Sequence, residues 1–142
     1  MVVQGALLIL VAVIHLAMTG ELGHIVAQNT TPAAFAFLWP PYALDHVVVG
    51  ILLMSIGVTT ILCAAGVGAG DPRARRIALA NALAVLCLPI AVVIAVPVGV
   101  LAHDPAFLAA TLILAVTGVW MLWPLWRGRR HERPSTLAIY SL

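Results

Sequence analysis

At 142 residues the chain is the size of one domain, but 63% hydrophobic and only 8% charged residues, with a mean hydropathy of +1.13, exclude a water-soluble globule. The net charge of +2 does not describe a nucleic-acid binder either, because every basic residue is an arginine and all lie in two clusters: Arg73, Arg75 and Arg76, then Arg127, Arg129, Arg130 and Arg133. Four stretches, about 2–27, 42–65, 75–101 and 106–126, are long and apolar enough to cross roughly 30 Å of hydrocarbon as helices. The expected fold is therefore all-α, a four-helix transmembrane bundle in a single integral membrane domain over 1–142, with 127–142 as a basic tail.

Four spans put both arginine clusters on one side. The positive-inside rule then makes both termini and the middle loop cytoplasmic. A chain rich in Ala, Val and Arg and lacking Lys suggests a GC-rich bacterial genome, so the expected location is a bacterial inner membrane, multi-pass. The first span has no basic leader, and its apolar run is longer than that of a usual signal peptide; it is expected to stay as a helix. Cys63 and Cys87 form no CxxC and read as small packing residues.

Span one carries His15 near mid-depth and the turn Glu21-Leu22-Gly23-His24 in its outer third. Residues three apart share a helix face, and a carboxyl within a span is costly unless it is partnered. His15 is expected to bond a neighbouring helix through Asn81, Ser55 or Thr117. The segment from Gln28 to Tyr42 reads as an outer loop, polar at first, then aromatic through Phe35, Phe37 and Trp39, with Pro40-Pro41 between; an interfacial anchor is expected there.

Span two opens with Asp45-His46, and helical rotation puts His46, Gly50, Leu53 and Gly57 on one stripe. Small residues there permit close helix packing, or leave room for a flat cofactor. Pro89 and Pro97 are expected to kink or unwind span three. Asp104-Pro105 reads as the N-cap and first residue of span four, and Trp120, Trp123 and Trp126 mark its inner interface. Each half is then an outward and an inward helix with a His/Asp pair, a weak repeat with the pair order reversed.

On this topology Glu21, His24, Asp45, His46, His103 and Asp104 all fall at the outer side. The candidate metal ligands are Glu21, His24, His46 and His103, an imidazole and carboxylate set suited to zinc, iron, copper or manganese. A single Glu-x-x-His disfavours a di-iron centre. Haem b would use two histidines from different helices, with His46 and His103 as cofactor-binding candidates; His15 and His24 lie on opposite faces of their helix and cannot share an iron.

The alternative is a membrane enzyme doing acid-base chemistry, such as an isomerase, cyclase or epoxide-opening enzyme, on a lipophilic small molecule. Glu21 and His24 would exchange protons, with Asp45 orienting a histidine. A further alternative is a non-catalytic subunit or small transporter. The bilayer is the expected partner, Gly-containing faces suit a homo-oligomer, and no nucleic acid is expected.

Overall fold

The computed structural model describes residues 1–95 and 105–127. They form four helices: α1 (Val2–Asn29), α2 (Pro32–Gly68), α3 (Pro72–Ala95) and α4 (Pro105–Arg127). Each is long and apolar enough to cross a membrane, and no strand occurs among the described residues. The protein is all-α and multi-pass, as its composition requires. His103 and Asp104, Pro97, and the tail beyond Arg127 with His131 and three of its arginines lie outside the described residues.

The largest departure from expectation is at the start of α2. The aromatic segment is no loop: the helix begins at Pro32 and runs through Pro40 and Pro41. Thr31 explains the early start. Its Oγ1 accepts a hydrogen bond from the Ala34 amide at 3.2 Å while its carbonyl accepts from Phe35 N at 2.9 Å, which makes it the N-cap, with Pro32 at the first helical position. Tolerance of Pro-Pro inside the helix is a property of membrane helices, whose freed carbonyls are satisfied locally. At 37 residues α2 is about 55 Å long, well beyond the hydrocarbon thickness, so its aromatic first turns reach headgroup level when the rest spans.

The same chemistry joins α2 to α3. Gly70, at φ 78°, sits in the left-handed region that favours glycine, and the amides of Gly70 and Asp71 donate back to Val67 O at 3.2 Å and Gly66 O at 2.9 Å. Asp71 then caps α3, its Oδ1 accepting from Arg73 N at 2.9 Å, and Pro72 follows. With Pro105 opening α4, three helices begin on proline.

The chain divides into two compact units, Val2–Ile61 and the residues from Leu62 onward. In the first, α1 and α2 run antiparallel in close contact. A Cβ built on Gly57 would stand 2.7 Å from the carbonyl oxygen of Gly5, and one on Gly23 would stand 2.7 Å from the Trp39 ring. Such an approach is open only to residues without side chains at the crossing. Leu8, Ala12 and Leu53 are buried beside it. The stripe expected on α2 is real: Gly50, Leu53 and Gly57 are buried and His46 is half-buried.

In the second unit, Ala74, Ala78, Ala82 and Val85 of α3 are buried, as are Met121 and Leu125 of α4, and Gly118 packs against Leu86. Arg75 Nη2 donates to the Leu125 carbonyl at 2.6 Å, satisfying a carbonyl near the end of α4 with a cation. The α3 helix runs unbroken through Pro89, which is buried.

Gly57→Ala should destabilise the α1–α2 hairpin by about 1–3 kcal/mol, through overpacking against the Gly5 backbone. Gly20→Ala, where a Cβ meets nothing within 4 Å, should be neutral or stabilising by up to about 1 kcal/mol. Unfolding in mild detergent, followed by helical circular dichroism, separates the two. Asp71→Ala should cost about 1 kcal/mol by the same measurement, from loss of the α3 cap.

Candidate functional site

The close α1–α2 packing brings His15 and His46 face to face. Their ring centroids are 3.6 Å apart and their planes differ by 4°. Thr19, one turn after His15 on α1, lies between the helices: its Oγ1 is 3.2 Å from His46 Nδ1 and 3.3 Å from the His15 carbonyl oxygen. A hydroxyl carries one proton. Donation to the carbonyl four residues earlier is the bond that Thr30 and Ser55 also make, and it leaves the Thr19 oxygen to accept from His46 Nδ1. That assignment puts the neutral His46 proton on Nδ1 and makes Nε2 the basic nitrogen.

His15 contributes a second open position. Its Nε2 is buried and finds no hydrogen-bond partner among the described residues. The expected bond from His15 to Ser55 is not made, since the Ser55 hydroxyl donates to Ile51 O at 2.8 Å in its own helix. His15 instead rests on His46.

A line of rings leads to this pair along α2. Phe35, Trp39, Tyr42 and His46 recur at helical spacing on one face, with successive centroids 5.9, 5.9 and 5.7 Å apart. Trp39 packs on Gly23 and Tyr42 flanks His46, so the aromatic residues read from the sequence as an interfacial loop form one side of the histidine site.

Glu21 and His24 are both exposed, as is Asp45. Rotation by about 100° per residue turns Glu21 and His24 roughly 140–200° away from Thr19, on the side of α1 opposite the one that meets His46. Within this unit α1 therefore carries two polar faces, Glu21-x-x-His24 on one and His15-x-x-x-Thr19 on the other. Glu21 stands about 12 Å along the helix from Asn29, slightly further from the end of α1 than the expected span to residue 27 implied. No three His, Cys, Asp or Glu side chains gather to hold a metal ion among the described residues, so Glu21, His24 and His46 do not form the expected ligand set by themselves. His103 lies outside those residues.

The room for a flat cofactor inferred from small residues is occupied in this unit. Leu16 fills the space at Gly50, Trp39 fills that at Gly23, and the His15 ring covers a face of His46. Those residues do not fit haem. Sequence reasoning missed His15 as the partner of His46; the usable signal was that α1 has a small or polar residue facing α2 at Gly5, Ala12, Thr19 and Gly23, a face that includes position 15.

No protein-family model, curated protein or solved structure matches the chain. The fold defines its class, a small multi-pass membrane protein.

Thr19→Val, which keeps the shape and removes the hydroxyl, should destabilise the hairpin by about 1 kcal/mol. It should also release the His46 tautomer, so that imidazole 15N resonances of the wild type show a protonated Nδ1 and those of the variant a mixture. Identical His46 resonances in both proteins would overturn the tautomer assignment.

Proposed function

We propose that this small membrane protein performs acid-base chemistry on a lipophilic small molecule that reaches the His15–His46 pair from the bilayer. The observation that carries the reading is the pair itself: two imidazoles from facing helices in ring contact, one with a buried nitrogen that no described residue satisfies. A polar atom left open inside a membrane span costs free energy, and such positions are characteristically where a ligand or a proton is handled.

In this reading His46 Nε2 takes a proton from the substrate, while Nδ1 keeps its own proton and donates it in a hydrogen bond to Thr19 Oγ1, which holds the ring in place. The imidazolium that results lies against the neutral His15 ring and next in sequence to the Asp45 carboxylate, which offsets its charge. His15 Nε2 offers a hydrogen-bonding position for the polar head of the substrate. Tyr42 and Trp39 supply an apolar, aromatic wall. Glu21 and His24 lie on the other face of α1 and take no part in this step.

A metal ion is the second reading, favoured by the open Nε2 of His15. Parallel stacked rings direct their in-plane lone pairs side by side rather than at one point, so a shared ion requires one ring to turn, and a further ligand such as Asp45 to approach.

Incubation of the purified protein in D2O with a total bacterial membrane lipid extract tests the first reading. Proton abstraction and return should label a lipid component by one mass unit, and His46→Phe, which keeps a flat ring, should lower the labelling at least about 100-fold. Glu21→Gln and His24→Ala should leave it within a few-fold. Absence of labelling by the wild type would overturn the enzyme; labelling retained in His46→Phe would remove the pair from it. Stoichiometric metal lost in both His15→Phe and His46→Phe would establish the second reading instead.

A further inference from the structure

We propose that α1 pairs in parallel with α1 of a second copy of the chain, through Leu10, Ile14, Ala17, Glu21, His24 and Gln28. This face is independent of the histidine pair. It lies roughly 140° around α1 from the line of Gly5 and Gly23, which meets α2.

The six residues recur at alternating spacings of four and three, the repeat of a seam between two helices wound left-handed around each other. All six are exposed. The seam covers about 27 Å of helix, close to the thickness of the hydrocarbon, and is apolar in its first three residues and polar in its last three. An apolar helix face is equally at home against lipid tails, so the polar end decides what covers it.

With α1 centred on the bilayer, Glu21 stands about 6 Å inside the hydrocarbon and His24 at its edge. Among the described residues neither makes a hydrogen bond or an ion pair, with each other or with anything else. Lipid tails offer a carboxyl no partner. A second copy does. Both copies enter the membrane in one orientation, so a two-fold axis along the normal makes the seam face itself, and each Glu21 packs between the partner's Glu21 and the partner's His24 one turn on. Two carboxyls and two imidazoles then meet in equal number, and each Glu–His pair is hydrogen-bonded whether the proton sits on nitrogen or on oxygen. Gln28 adds an amide that both donates and accepts towards its twin. Charge complementarity thus selects the occupant, because this one face carries both members of the pair at matching depth.

Disulfide cross-linking of the full chain in membranes tests this, with Cys63→Ala and Cys87→Ala removing the native thiols. Leu44 is exposed on α2 and stands level with Ala17, by the register of the Gly5–Gly57 and Gly23–Trp39 contacts, so it serves as the control position. Ala17→Cys should form a covalent dimer at least about fivefold more than Leu44→Cys. Glu21→His, which leaves the interface without a carboxyl, should lower that yield about fivefold or more, with helical circular dichroism unchanged. Adding His24→Glu restores one acid and one imidazole at exchanged positions and should recover the dimer. Absence of cross-linking at Ala17→Cys, equal cross-linking at Leu44→Cys, a dimer that withstands Glu21→His, or no recovery in the exchanged pair would overturn the proposal.

Discussion

The α1–α2 hairpin depends on one contact, the approach of the Gly5 and Gly57 backbones where a Cβ on either would collide with the other's carbonyl. Lipid tails are as apolar as the helices they surround, so there is little hydrophobic gain in pairing two such helices; close packing supplies the attraction. Because α1 and α2 meet without side chains at that point, the longer residues further along can interdigitate. Leu16 enters the space at Gly50, Trp39 covers Gly23, and His15 and His46 close to van der Waals contact. The histidine pair is a consequence of the glycines.

The second unit reaches the same end by other means. Alanines every fourth residue on α3 provide a flat face, and Arg75 in the first turn of α3 holds the Leu125 carbonyl in the last turn of α4. One unit thus places two imidazoles between its helices, and the other places a guanidinium at a helix end. This division follows from residue chemistry: an imidazole can be neutral and satisfied by a hydroxyl or a ring, while a guanidinium retains its charge and belongs near water or phosphate.

Thr31-Pro32 and Asp71-Pro72 mark helix starts by a capping oxygen followed by a ring that needs no amide partner, the pattern expected from the sequence at Asp104-Pro105. The first of these was obscured because Pro40-Pro41 reads as a break under the rules for soluble helices, which do not hold where the helix has no water to turn its carbonyls towards. The polar residues were similarly legible as a set and misleading as a constellation. Depth grouped Glu21, His24 and His46, but rotation about α1 separates the first two from the third by more than a quarter turn.

By itself the sequence determined the class of the protein, the number of its described helices and the approximate extent of all but α2, because hydropathy over a bilayer's thickness leaves an apolar chain no other way to satisfy its backbone. It also determined the stripe of His46, Gly50, Leu53 and Gly57, since helical periodicity is local. Only the tertiary structure decided that His15 meets His46, that Thr19 holds the ring between them, and that the spaces beside the glycines are filled. Those facts depend on the register and rotation of one helix against another, which are set by the sum of contacts along the pair and are written in no single segment.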